Sequence, residues 1–251
     1  MLTLVLALSA LAGPANDVAE ALRQFNAAAV YDLPVLSTEQ LQRLENGKIV
    51  KIREITSADS PQRAVGMLLT AQPRDAIWVA ARTEEGGAAS ITSLIVPSVS
   101  EAERWYQHLD APFPFADRHW VIDVWDNHAV AEASPCWEHP WRIAPAGYDA
   151  ARAAVAAGRV GKVSEKQFDS AVKVGVNNGA WVACTVGGRT LLVFHAQSVV
   201  GGSIPDRLVT DFTMMTLGKV LRGVETRSTT AATWYDGGLV GGDGVPIHLG
   251  G

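Results

Sequence analysis

The chain has 251 residues, 48% of them hydrophobic, and a formal net charge of −5 at pH 7 from 21 basic and 26 acidic side chains. That length buries the core of one large domain or two small ones, and that composition excludes a disordered or collagenous chain. No run of Lys and Arg supplies the basic footprint of a nucleic-acid binder, so nucleic acid is not an expected partner, and two cysteines, Cys136 and Cys184, cannot build a disulfide scaffold.

Met1 to Ala15 carries no charge, and its apolar stretch from Leu2 ends in Ala10-Leu11-Ala12, a small-residue pattern suited to signal-peptide cleavage. A stretch of about 11 apolar residues fits the core of a signal peptide and falls short of a membrane span. A periplasmic or secreted location is the expectation. The missing basic n-region keeps the alternative of a cytoplasmic chain with an apolar helix end. Val18, Leu22, Phe25 and Ala29 fall on one stripe and predict a helix over 17–31. Asn46-Gly47 marks a turn, and 48–56 alternates as a strand. Ser60-Pro61 reads as the start of a second helix through Val65, Leu68 and Leu69 to Gln72-Pro73, with a further helical turn over 75–82. From Ser90 the texture turns to β, with short runs rich in Ile, Val and Trp at 91–97, 104–109, 118–125 and 129–133. The alanine-rich 148–157 predicts a helix. Strands return at 168–176, 180–186 and 190–200, the last two joined by Gly187-Gly188, a hairpin signal. Ile204-Pro205 opens a long last helix that continues to about Arg227. The domain organisation expected is therefore a leader at 1–12, one folded domain at 13–227 and a flexible Gly-rich tail at 228–251. The order of elements implies an α+β fold, with helices against one face of a curved antiparallel sheet.

Four short motifs, in this order along the chain, resemble START domains. Ala76-Ile77-Trp78 after Pro73 is similar to their helix end; Pro112 to Val121, PFPFADRHWV, is similar to their Asp-Arg-centred strand entry. Gly179-Ala180-Trp181 resembles their Gly-x-Trp strand, and Val200 to Pro205 resembles the start of their C-terminal helix. The resemblance runs from residue 45 to residue 225, and the region between Ser134 and Lys173 departs from the pattern. It implies a helix-grip fold: a curved antiparallel sheet wrapped around a long C-terminal helix and enclosing an internal hydrophobic cavity of lipid size. Relatives with that fold include lipid and sterol carriers, plant hormone receptors and polyketide cyclases, so fold leaves function to be argued from the site.

By similarity to START domains, the inner parity is Arg118, Trp120, Ile122 and Val124 on one strand, and Val182, Cys184, Thr190, Leu192, Phe194 and Ala196 on the last two. Apart from Arg118 at a strand end this face carries no charge. It suits a neutral apolar ligand such as a sterol or fatty-acyl lipid, whereas a phosphate head group would want Arg or Lys within reach. Projected as a helix, the closing segment centres Val209, Thr213, Thr216, Val220 and Val224 inward, flanked by Phe212, Met215, Leu217 and Leu221. The two threonine hydroxyls either meet a ligand or bond back to the helix carbonyl four residues earlier. The candidate ligand-binding set is thus Trp120, Ile122, Val124, Val182, Cys184, Leu192, Phe194, Ala196, Val209, Thr213, Thr216, Val220 and Val224. The expected partner is a hydrophobic small molecule or lipid, with transient membrane contact during loading.

Catalytic and metal patterns are weaker. His128, Cys136, Glu138 and His139 contain a Cys-x-x-His spacing without a second ligand pair, so no metal or other cofactor is expected. His119 and Asp123 share the outer face of their strand and read as a solvated edge pair, and His195 shares the outer parity of its own strand. The interior position of Cys184 weighs against a bridge to Cys136. A cyclase should carry an ionisable pair on the inner face. None is found there, so a carrier is favoured over an enzyme, and a ligand sensor is the third reading.

Overall fold

The computed structural model describes residues 14–55, 61–83, 91–96, 102–111, 115–202 and 205–250. The leader expected at 1–12 lies outside them, as do residues 112–114 of the proline-rich motif. Helices α1 (Pro14–Asn26) and α2 (Thr38–Glu45) precede β1 (Val50–Glu54) and β2 (Arg63–Thr70), and α3 (Arg74–Arg82) leads to β3 (Ile91–Val96), β4 (Glu103–Leu109) and β5 (Arg118–Val124). Next come α4 (His128–Ala133), β6 (Cys136–Ile143), α5 (Tyr148–Ala156), α6 (Glu165–Ser170) and the short β7 (Val172–Lys173). The hairpin β8 (Val176–Val186) and β9 (Arg189–Val199), the long α7 (Asp206–Ser228) and α8 (Ala231–Trp234) follow. Among the described residues the strands form one sheet in the order β1-β2-β9-β8-β6-β5-β4-β3, antiparallel except for β7, which lies parallel beside β5. The sheet curls into a half-barrel around α7, the α+β arrangement expected.

Register assigns every strand residue to one of two faces, because directly paired residues point the same way. Gly66, Leu68, Ala183, Leu192 and Phe194 share the concave face, where α3 and α7 pack. Leu217 and Leu221 of α7 seat over Gly66; a Cβ at that glycine would stand 3.1 Å from both side chains. On the opposite, convex face, Val65, Met67, Val182, Cys184, Leu191 and Val193 pack under Val18, Leu22 and Phe25 of α1 and Leu44 of α2. Further along that face α5 and α6 cover Tyr106 and Val121.

The structure corrects four readings of the sequence. Residues 63–70 are a strand, not a helix: β2 lies in the middle of the sheet, covered by α7 on one face and the α1–α2 side on the other, so all eight residues are buried and no alternation survives to mark it. Residues 128–133 and 165–170 are short helices rather than strands, the second opened by a capping box in which Ser164 and Gln167 exchange hydrogen bonds. The segment after α7 is packed rather than flexible. Ile247 is buried, Val240 O accepts hydrogen bonds from Trp78 Nε1 and Arg82, and Gly241 and Gly242 lie flat on the Trp137 ring, where a Cβ on Gly241 would come within 2.5 Å of it. Glycine content here reflects close approach to an aromatic face rather than freedom.

Candidate functional site

The concave face is an aromatic floor. Trp120, Ile122 and Val124 of β5 sit on it as expected, joined by Trp105 of β4 and Trp141 and Ile143 of β6 through direct register pairs. Leu192, Phe194 and Ala196 of β9 continue it, with the Trp181 ring tilted against Phe194 at a centroid distance of 4.6 Å and Trp141 at 5.7 Å from the same ring. Gly179 makes that packing feasible, since a Cβ there would collide with the Trp141 ring at 2.4 Å. Trp105, Trp141, Trp181 and Phe194 are only partly buried, so packing leaves part of each ring uncovered. The indole N–H groups of Trp120 and Trp141 donate to Gln107 and Asn177, which fixes the rings at 2.6 and 3.0 Å. Arg118 closes one end of the floor, fully buried, donating to the carbonyls of Ala116 and Gly201.

Val182 and Cys184 do not belong to this floor. In the hairpin Val186 pairs with Arg189, so Val182 shares a face with Val193, and Ala183 with Leu192. The concave neighbours on β8 are therefore Trp181 and Ala183, in line with Gly179. Val182 and Cys184 face α1, and Cys184 is joined to Cys136, its cross-strand partner on β6, by a disulfide. Cys184 is buried as expected, but under α1 rather than on the inner face, and the weighing against its bridge to Cys136 is overturned, because β6 lies beside β8 and sets the two cysteines directly opposite.

Helix α7 is rotated from the projected orientation. Its buried line is Thr210, Leu217, Leu221, Val224 and Ser228, of which the sequence reading centred only Val224. Val209, Thr213, Thr216 and Val220 are half-buried along one flank. The other flank is tied to β1, where Lys51 donates to Met214 O and Arg53 pairs with Asp211. Both threonine hydroxyls bond back into the helix, Thr213 to Val209 O and Thr216 to Phe212 O. Phe212 and Met215, expected to flank the inward centre, are 63% and 70% exposed.

An ionisable pair stands on the inner face after all, which overturns the absence on which a carrier was preferred to a cyclase. Trp125 N donates to Pro140 O and Asn127 N to Glu138 O, extending the β5–β6 register beyond the Val124–Trp141 pair, so that Asp126 meets His139. His139 Nδ1 lies 2.8 Å from one Asp126 oxygen, and Arg82 donates to the other at 3.1 Å. Burial pushes the imidazole below its ordinary value despite the carboxylate beside it. Burial alone would raise Asp126, but the His139 hydrogen bond and the Arg82 charge outweigh it and hold the carboxyl low. The pair is therefore a neutral imidazole on an ionised carboxylate. On the convex face, His119 and Asp123 are neither solvated nor paired with one another: both are buried, Asp123 forms a bidentate bridge to Arg104, and His119 meets Tyr106. Among the described residues no group of His, Cys, Asp and Glu is arranged to hold a metal.

No family model and no curated protein matches the sequence. Solved structures do match the fold. Human STARD10 superposes with a TM-score of 0.54 at 10% identity over 74% of this chain and 71% of that one. A STAR-related lipid transfer protein fragment from Xanthomonas axonopodis gives 0.52 at 13% identity over 72% and 93%, and human StAR-related lipid transfer protein 5 gives 0.50 at 11% over 86% and 97%. The fold is the START-like helix grip. In this chain the packed segment after α7 covers Trp137 and Trp78 beside α3.

Proposed function

We propose that this chain binds and carries a neutral hydrophobic ligand, a sterol, fatty-acyl or related lipid, on the concave face beside α7. The observation that carries the reading is the partly buried floor of Trp105, Trp141, Trp181 and Phe194, whose charged neighbours stand at its rim: Arg118 at one end, the Asp126–His139 pair at the other, and the exposed Glu103 at the start of β4, which accepts from Trp105 Nε1. Covering such a floor with a lipid removes apolar surface from water at roughly 25 cal/mol per Å², the driving force for extraction from a membrane. The names of the Xanthomonas protein and of human StAR-related lipid transfer protein 5 describe lipid transfer, which agrees with this reading. Leu208, Phe212 and Met215 support a transient membrane contact: spaced four and three apart, they form an exposed apolar stripe on α7. Export through a cleaved leader accords with the Cys136–Cys184 bridge, since disulfides persist mainly in oxidising compartments.

Native mass spectrometry of protein purified from its own host, followed by lipid extraction, is expected to return a neutral lipid. Intact mass should begin at Gly13. A protein that carries no lipid and whose tryptophan fluorescence ignores both sterol and fatty-acyl probes refutes the binding reading, as does tightest binding of a phosphorylated head group. A full-length cytoplasmic product refutes the export reading alone.

A further inference from the structure

The Asp126–His139 pair is positioned to read one polar atom of a ligand, and its chemistry specifies which. The carboxylate of Asp126 can only accept, so the proton of the shared hydrogen bond resides on His139 Nδ1. Nε2 is then a bare acceptor. It has no hydrogen-bond partner among the described residues, yet it is not among the sealed polar atoms that lack one, and the side chain keeps 15% of its surface exposed. The ring is held in place from both sides, by the Asp126 bond and by the edge of Trp78 at 6.0 Å. On the neighbouring strand His139 pairs with Trp181, which continues through Phe194 into the aromatic floor.

We infer that the concave face selects an apolar ligand that bears a hydroxyl group, whose O–H donates to His139 Nε2 while its hydrocarbon body lies on Trp181 and Phe194. This inference rests on the hydrophobic-ligand reading above and narrows it. A hydroxyl supplies the donor that Nε2 needs. An ether or ester supplies only acceptors and leaves two lone pairs facing each other. A carboxylate fares worse, because its charge approaches an imidazole backed by the Asp126 carboxylate, and the Arg82 nitrogen nearest the pair, Nη1, already donates to that carboxylate and to Val240 O. Arg82 also offsets the Asp126 charge, so a ligand ammonium gains little there.

The test uses the whole chain and matched probes: cholesterol and its methyl ether, 1-hexadecanol and its methyl ether, and palmitic acid, each displacing Nile red. Each alcohol is expected to bind roughly 5- to 100-fold more tightly than its ether, the span set by one unsatisfied buried acceptor. His139→Phe should bring that ratio to about one, because the alcohol loses its acceptor and the ether is relieved of a facing lone pair, and Asp126→Asn, which frees the tautomer, should lower the ratio as well. Equal binding of alcohol and ether by the unaltered protein overturns this inference while the hydrophobic-ligand reading stands. Tightest binding of palmitic acid overturns it too. If none of the five probes binds, the broader reading fails and this one with it. The unaltered protein alone decides the ratio, so a variant that fails to fold does not remove the test.

Discussion

Two histidines buried on the convex face make the fold sensitive to acid, and the size of the effect follows from their surroundings. His195 is fully buried beneath the edge of Tyr31, with neither ring nitrogen partnered; burial first, and then the charge of Arg63, lowers its pKa from 6.5 to about 3. His119 is enclosed by Tyr106, Tyr148 and Phe168, and burial, aided by His108 and Lys173, lowers it to about 4. Both folded values lie below the unfolded one, so the unfolded chain binds more protons across the interval. The stability these residues allow is present in full above about pH 6.5 and is lost as pH falls toward the folded values. At pH 5 each unfolded imidazole is almost wholly protonated while each folded one is not, a difference of about 2 kcal/mol per residue and about 4 kcal/mol for the two. Against a typical total of roughly 5–15 kcal/mol that is a large share. Glu138, raised by burial, acts in the opposite direction on acidification, whereas His108 and His139, both lowered by burial, add to the loss.

Urea unfolding at pH 7.5 and pH 5.0 measures the total, and His195→Leu isolates one contribution. Leucine has no proton to take up and replaces a ring that makes no hydrogen bond, so the variant should lose about 2 kcal/mol less than the unaltered chain over the same pH step. An identical pH dependence in the two proteins would refute the account of His195 as a buried neutral imidazole.

Other consequences are read by standard stability and binding measurements. Reducing the Cys136–Cys184 bridge, which spans 48 residues, should cost up to about 4 kcal/mol by the loop-entropy relation, and an unchanged urea midpoint in dithiothreitol would contradict it. Gly241→Ala, which drives a methyl into Trp137, should cost about 1–3 kcal/mol, whereas Gly250→Ala meets nothing and should be neutral; equal effects would mean the last segment is not packed as described. Phe194→Arg should abolish ligand-induced tryptophan quenching while circular dichroism stays native. Val182→Ala should cost about 2 kcal/mol of stability and leave ligand binding untouched, because Val182 lies on the face away from the floor.

What the sequence disclosed follows from how locally each feature is determined. The β8–β9 hairpin is legible because Gly187 and Gly188 both take the positive φ that a two-residue turn demands. The same turn contains the parity of β8. If 186 pairs with 189, then 182 must face with 193, and Leu192 with Ala183. Assigning Val182 and Leu192 to one face conflicts with that arithmetic, so Trp181 was within reach of the sequence without any structure. Residues 63–70 were not: a strand buried on both faces has the same apolar run as a buried helix.

The candidate site was hidden for a different reason. Strand β6 carries Pro140, two charged residues and no alternation of small apolar groups, and nothing in Cys136–Ile143 marks a strand. Pro140 is tolerated because its carbonyl, not its missing N–H, makes the cross-strand bond, accepting from Trp125 N. This one strand brings together both pairs that the sequence leaves apart. Its even-numbered face sets Cys136 opposite Cys184 against α1, and its odd-numbered face sets His139 opposite Asp126 within the half-barrel. Neither pair has a spacing that announces it, since 48 and 13 residues separate the partners. Each exists only through the register of β6 with its two neighbours, and a single-residue slip of that strand would exchange their faces, placing the disulfide sulfur on the aromatic floor and the imidazole under α1.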